Sequence, residues 1–263
     1  MKILVTGAAR AIGAATVDEL LARGHTVVAT ARDISAMPSE VANRINLCLD
    51  VTDDASVAAA LAAAGELDAV VNNAAVNGTG PLDGFSLDRL RSMFETNTIG
   101  ALRVINALVP AWRVRRSGVI INVSSVQGQV ATPLEGPYGA TKYALEAISE
   151  TLHYELSHFG IRTVIIQPGY IAPGMKPSDR HLGPDDYAEL WRQWDGTDSK
   201  LNGGAGRPGP ELVGRAIADA IEQRETPLRV PVGADAELIM ATRKQLDDAA
   251  FEAAMRATLN LTW

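Results

Sequence analysis

Short apolar runs recur along the chain, and segments of helical periodicity separate them. Residues 2–6, 25–30, 45–49, 67–72, 118–124, 161–167 and 228–232 read as strands, most of them too uniformly apolar to leave a face in water. Helices are predicted over 12–23, ending at Gly24, and from a cap at Thr52 or Asp53 to about residue 64. A long helix follows a Ser86 cap and runs to about 116, with a bend at Pro110. Further helices cover about 138–159 and, behind Pro210, about 211–224, and residues 234–259 are mostly helical. Residues 33–44 and 73–85 are irregular, and 168–210 are rich in Gly and Pro. Strands alternating with helices predict an α/β fold, a doubly wound parallel sheet of about seven strands with helices on both faces and right-handed crossovers.

Composition narrows this picture. A chain of 263 residues with 47% hydrophobic content suits one large domain over 1–263, and no internal boundary is visible. The formal charge of −7 argues against nucleic acid and anionic membrane partners. The one basic cluster, Arg113, Arg115 and Arg116, falls where a helix ends and complements its dipole. Cys48 is the only cysteine, so no intrachain disulfide forms; between Leu47 and Leu49 it is expected to be a buried strand thiol. The four histidines lack metal-ligand spacing, and no metal is expected. Thr6, Gly7 and Arg10 break the N-terminal apolar run, which argues against a signal peptide or membrane span, so a cytoplasmic location is expected.

Two stretches carry candidate chemistry. Residues 6–13, Thr6-Gly-Ala-Ala-Arg-Ala-Ile-Gly13, join the first strand to the first helix. Small residues there let the backbone approach a pyrophosphate, which a helix N-terminus attracts. The second stretch runs from Ser125, at a strand exit, to Tyr138 and Lys142. Tyr138 and Lys142 are four apart on a predicted helix and share a face. An ammonium beside a phenol lowers its pKa, which would make Tyr138 a usable proton donor or acceptor.

Together these residues resemble the short-chain dehydrogenase/reductase superfamily in its ordinary single-domain form. The glycine pattern of that family is matched by Thr6, Gly7 and Gly13, with Ala11 at the middle glycine. Leu49-Asp50-Val51, Asn72-Asn73-Ala74-Ala75, Asn97, Ser125, Tyr138, Lys142 and Gln167-Pro168-Gly169 match further positions in the family's order. The resemblance spans residues 1–171 and resumes at 210–233. It implies a Rossmann-type fold and hydride transfer between a nicotinamide and a ketone, aldehyde or alcohol. Tyr138 would be the proton donor, Ser125 a hydrogen-bond partner of the same oxygen, and Lys142 the holder of the nicotinamide ribose. Asn97 would order a water next to Lys142. Implied dinucleotide contacts are Gly7, Arg10, Ala11, Ile12 and Gly13 in the first loop, and Arg32, Asp50 and Val51 at the adenosine. Asn73, Ala74, Pro168, Gly169 and Ile171 complete them. Pro173 stands where the family places a nicotinamide-binding Thr.

Relatives that prefer NAD carry an acidic residue where Ala31 stands. Here Arg32 follows, Arg10 is the second basic position, and Asp33 is a possible competitor for Arg32. NADP is therefore expected over NAD. Residues 172–208 would be a substrate lid. Tyr187, Trp191 and Trp194 share one helical face turned to the active site, and Met175, His181 and Leu182 add to it. These residues suggest an apolar or ring-bearing substrate. Residues 202–210 would form its hinge, and residues 234–259 a helical extension. A homodimer or homotetramer is implied by the relatives. The competing readings are a non-catalytic dinucleotide-binding regulator on the same fold, an NAD-dependent alcohol dehydrogenase, and a sugar-nucleotide epimerase or dehydratase.

Overall fold

The computed structural model describes all residues except 36, 40, 176–182, 196 and 202–205, and the side chains of 198 and 199. Seven strands form one sheet: β1 (Lys2–Val5), β2 (Thr26–Ala31), β3 (Arg44–Cys48), β4 (Ala69–Asn72), β5 (Gly118–Val123), β6 (Ile161–Pro168) and β7 (Arg229–Val232). Their order is β3-β2-β1-β4-β5-β6-β7, and every pairing is parallel. The chain winds outward from β1 to β3, then crosses to β4 and winds outward to β7. Ligands of such Rossmann-type sheets bind where the order reverses, at the carboxyl ends. The loops after β1 and β4 meet there.

The helices are α1 (Ala11–Ala22), α2 (Asp54–Ala64), α3 (Leu87–Phe94), α4 (Gly100–Arg115), α5 (Gly136–Ser157), α6 (Ala188–Trp194), α7 (Thr197–Leu201), α8 (Glu211–Glu222), α9 (Ala234–Gln245) and α10 (Asp248–Leu259). One core lies under α1 and α8, where Val17, Leu20, Val213 and Ile217 cover Ile3, Val5, Val71 and Ile121. The other lies under α2, α4 and α5, where Val57, Val104, Leu108, Trp112 and Leu156 cover Leu4, Val70 and Ile120. Alternate residues of one strand thus enter opposite cores, which is why the central strands read as unbroken apolar runs. Asp53, not Thr52, caps α2 by accepting from the Ser56 amide at 2.9 Å.

The structure corrects three expectations. The helix expected from Ser86 to 116 is divided: α3, capped by Ser86, passes through a π-helical turn at Glu95–Ile99 into α4. The wider turn brings Asn97 and Thr98 to α5, where Asn97 Nδ2 donates to Thr141 Oγ1 (3.0 Å) and Thr98 Oγ1 to the Thr141 carbonyl (2.9 Å). Cys48 is exposed, not buried. On the edge strand β3, Leu49 turns to the core, and the side chain between it and Leu47 faces water; its Sγ lies 3.2 Å from the Arg32 carbonyl. The third correction concerns α6. Trp191 and Trp194 share a buried face, but it packs on Leu134 and on Leu259 of α10, with Tyr187 against it. His181, Leu182 and residues 202–205, named for the lid and its hinge, lie outside the described residues.

The segment after β6 is closed at its base, where the Ala172 amide donates to the Pro208 carbonyl at 2.8 Å. The basic cluster at the end of α4 is used locally, with Arg115 Nε donating to the Ser117 carbonyl at 2.8 Å. No helix among the described residues is long and apolar enough to cross a membrane.

Candidate active site

The loop after β1 is locked to the exit of β4. Thr6 Oγ1 accepts from the amides of Asn73 and Ala74, both at 3.0 Å. Asn73 Nδ2 donates to the carbonyls of Thr6 (2.9 Å) and Gly7 (3.1 Å). The Asn73 side chain therefore shapes the loop. Gly7 has φ 65°, and a Cβ there would stand 2.9 Å from Ala74 Cα. A Cβ on Gly13 would stand 2.2 Å from the Gly7 carbonyl oxygen, so α1 approaches the loop only because residue 13 is Gly. At the N-terminus of α1, Arg10 makes no capping bond and the first turn has no acidic residue. Its amide groups are therefore suited to an anionic phosphate, and a dinucleotide pyrophosphate fits this loop. Ala11 adopts φ 46°, the left-handed conformation that glycine takes without strain. Ile12 packs against the core below the loop.

At the adenosine end, Asp50 Oδ1 accepts from the amide and hydroxyl of Thr52, at 2.9 and 2.8 Å. Partial burial works against its charge, but these bonds and the nearby Arg32 and Arg103 hold its pKa below the ordinary value. Val51 is buried against Gly100, where a Cβ would fall 2.7 Å from Val51 Cγ2. Arg10 and Arg32 are exposed. Asp33, the expected competitor for Arg32, accepts from the Ser35 amide at 2.8 Å.

Ser125 follows β5 and accepts from the Gln127 amide at 3.2 Å. Its hydroxyl lies near Tyr138, in the first turn of α5, and favours the phenolate there. Lys142, one turn later, is 2% exposed; its Nζ donates to the Val123 carbonyl at 2.7 Å and lies 5.6 Å from the Tyr138 ring centre. The expected lowering of the Tyr138 pKa is reversed. Burial, then the negative charge of Glu135, holds the phenol well above its ordinary value, and the nearby Ser125 hydroxyl opposes them weakly. Burial also lowers Lys142 from 10.5 to about 8, against the field of Glu146. Asn97 clamps Val76, with Oδ1 accepting from its amide (2.8 Å) and Nδ2 donating to its carbonyl (2.9 Å). Through Thr141 it ties the β4 loop to the helix that bears Tyr138 and Lys142.

Pro168 ends β6 opposite Val232. A Cβ on Gly169 would stand 2.2 Å from the buried Asp235 carboxylate, which accepts from the Tyr170 amide at 2.7 Å. Ile171 is buried in the α1–α8 core, and Pro173 follows it. The residues expected from sequence thus gather along the carboxyl ends of β1, β2, β3, β4, β5 and β6. Sequence reasoning missed Glu135, Gln127, Thr141 and Asp235. Glu135 was open to notice, because it precedes Tyr138 by three residues on the same helical turn. No group of three or more metal-binding side chains occurs among the described residues.

A family profile described as short chain dehydrogenase matches residues 1–182. The chain belongs to the short chain dehydrogenase family. Among its relatives in that family, the 3-ketodihydrosphingosine reductase of Bacteroides thetaiotaomicron is 31% identical over 267 residues, 97% of this chain and 96% of that protein. The crystal structure of a short-chain dehydrogenase from Streptomyces avermitilis is 32% identical with a TM-score of 0.80, over 97% of each chain. A short chain dehydrogenase from Burkholderia cenocepacia, crystallised in complex with NADP, is 26% identical with a TM-score of 0.78, over 100% of this chain and 98% of that one. Short chain dehydrogenases are oxidoreductases that bind a nicotinamide dinucleotide, and this chain is an oxidoreductase of that type.

Proposed function

We propose that the protein interconverts a ketone or aldehyde and an alcohol with NADP(H). The observation that carries this reading is the convergence of Ser125, at the exit of β5, with Tyr138 and Lys142 on α5, where the Lys142 ammonium lies 5.6 Å from the Tyr138 ring centre. When bound, the dinucleotide supplies or accepts the hydride. Tyr138 keeps its proton at neutral pH because burial and Glu135 disfavour the phenolate. In the reductive direction it gives that proton to the substrate oxygen as negative charge develops there. Ser125, at the exit of β5 near Tyr138, stabilises the same oxygen. Lys142, charged at pH 7 and close to the ring, stabilises the phenolate left behind and would hold the nicotinamide ribose. Gly7, Ala11, Ile12 and Gly13 would carry the pyrophosphate, and Asp50 and Val51 the adenine. Ala74, Pro168, Gly169 and Ile171 would line the nicotinamide side.

The preference for NADP is supported by Arg10 and Arg32, both exposed at the adenosine end, by the absence of a carboxylate at Ala31, and by the engagement of Asp33 with Ser35. In this reading residues 172–208 cover the substrate, supported by their closed base at Ala172 and Pro208. The chain would act as a homodimer or homotetramer, supported by Val114 on α4 and Tyr154 on α5, 87% and 71% exposed. Burial of Trp191 and Trp194 against α10 removes the observation that favoured a ring-bearing substrate. The Tyr138→Phe variant tests the chemistry: it should bind NADPH normally and lose at least ~10²-fold in kcat against a panel of ketones and aldehydes. Near-normal turnover would refute the mechanism.

A further inference from the structure

Glu146 lies one turn after Lys142 on α5, and both residues are closed off from water, at 3% and 2% exposure. Residues four apart on a helix are neighbours, so carboxylate and ammonium share one face. Other elements hold the carboxylate there. Its Oε1 accepts from Gln167 Nε2 of β6 at 2.9 Å. Its Oε2 accepts from Arg229 Nε of β7 at 2.8 Å and, more weakly, from Gln129 Nε2 at 3.5 Å. Its stem is wedged against the turn that follows Ser125: a Cβ on Gly128 would stand 2.7 Å from Glu146 Cγ and 2.5 Å from Ser124 Oγ.

The fold alone does not call for this carboxylate. Arg229 also donates to Glu150 Oε2 at 2.6 Å, one turn further along α5, and that half-exposed pair already ties β7 to the helix. A second, buried carboxylate carries a desolvation cost that the tie does not explain. The order of charges does explain it. Lys142, Glu146, Arg229 and Glu150 alternate in sign along one side of α5, with the ammonium at the end nearest Tyr138. Lys142 Nζ donates to the Val123 carbonyl, a neutral acceptor, so Glu146 supplies the negative charge that opposes the cost of burying it.

We propose that Glu146 is a positioning residue for the reaction: clamped by Gln167 and Arg229, it is the fixed counter-charge that keeps the Lys142 ammonium charged and in place beside Tyr138. The inference deepens the reductase reading above and, for its effect on turnover, rests on it. On α5 the titratable groups facing this pair are Tyr138, Tyr143 and Glu150. β7 contributes Arg229, and β5 and β6 contribute the neutral Val123 carbonyl and Gln167.

The test reads Lys142 directly. The chain has five lysines, and in protein labelled with carbon-13 at lysine Cε each is followed by NMR from neutral to strongly alkaline pH, without cofactor; Lys142→Met assigns the signal. The wild-type midpoint should lie at about 8. Glu146→Gln, of nearly the same shape, should lower it by about one unit. Arg229→Gln breaks the same tie to β7 but leaves the carboxylate, and should not lower it. The alkaline limb of kcat for ketone reduction with NADPH should move down with the Lys142 midpoint in Glu146→Gln. If that variant does not fold, Glu146→Gln combined with Arg229→Gln removes both charges and carries the same expectation. An unchanged midpoint without the carboxylate overturns the inference. An equal fall in both single variants also overturns it, because loosened packing is then the cause. A midpoint that falls while the kcat profile stays in place overturns the positioning role. A fall that depends on Glu146, in a protein that reduces no ketone, supports the counter-charge and overturns the reductase reading.

Discussion

Replacing Glu135 by Gln should make the protein more stable at neutral and alkaline pH, and should change little in acid. Burial lifts this carboxyl from 4.5 to about 7, despite hydrogen bonds from Gln127 and Asn77 and the charge of Arg207, which all favour ionisation. Tyr138, the other titratable group facing it, is neutral across this range. The folded protein therefore keeps a proton that the unfolded chain has already released. Between pH 4.5 and 7 the unfolded state binds fewer protons, so this group's contribution falls as pH rises through that window. A shift of this size corresponds to about 3 kcal/mol at pH 8, an upper figure given the partial exposure of the site. For a chain of 263 residues that amounts to ~5 °C in Tm.

The assay is the Tm of wild type and variant from pH 4 to 8.5, with cofactor omitted. Taking the difference between the two removes the titration of every other group they share. The curves should coincide near pH 4 and separate above pH 5, with the Gln variant melting several degrees higher by pH 8. Parallel curves, or a wild type that melts higher at pH 8, would refute the reasoning. Arg207 and the two amides would then fully compensate the buried charge.

Three further outcomes follow from the same site. Lys142→Met should remove turnover yet raise Tm at pH 7. A buried ammonium lowered to about 8 penalises the fold below that pH, and the penalty fades between pH 8 and 10.5, so the gain should shrink across that window. Ala11→Gly should relieve the left-handed φ of 46° and stabilise by up to ~1 kcal/mol, net of the greater freedom of unfolded Gly; denaturant unfolding measures it, and a loss of more than that would show that the Ala11 methyl packs favourably. Arg32→Ala should narrow the ratio of kcat/KM for NADPH over NADH by ~10-fold, from the loss of one charge-assisted contact, and equal use of both cofactors by the wild type would refute the NADP assignment.

Most of the architecture was legible because strands buried on both faces leave long apolar runs and helices leave a 3.6-residue stripe. The loop glycines were legible for a related reason. Gly7 and Gly13 sit where any Cβ would strike backbone, so the composition of the loop records its geometry. Features decided by one residue's neighbours were not legible. The π-helical turn adds no marker to the sequence, since Asn97 and Thr98 are ordinary surface choices until Thr141 is brought opposite them. Cys48 looked buried because the pattern of two flanking leucines does not reveal that β3 is an edge. The apolar face of α6 was correctly read as a face, but the periodicity cannot say what covers it. It is α10, some sixty residues further on, together with Leu134.

The same limit explains the reversal at Tyr138. Spacing along α5 places an ammonium one turn after the phenol, and from spacing alone the phenol should ionise easily. Two facts of packing decide otherwise. Lys142 is desolvated, its own charge is disfavoured, and its Nζ is turned onto the Val123 carbonyl, 5.6 Å from the ring centre. Glu135, one turn before, adds a negative charge on the other side, and burial of the ring completes the effect. A tyrosine held in this way keeps its proton until a carbonyl oxygen beside it begins to gain charge, which suits the reductive direction. Oxidation of an alcohol needs the phenolate as base, and here that form becomes accessible only if the Lys142 charge moves closer or the Glu135 charge is withdrawn. Protonation of Glu135 near pH 7 is one such withdrawal, so the acid side of that value favours the phenolate's formation at Tyr138 relative to the alkaline side.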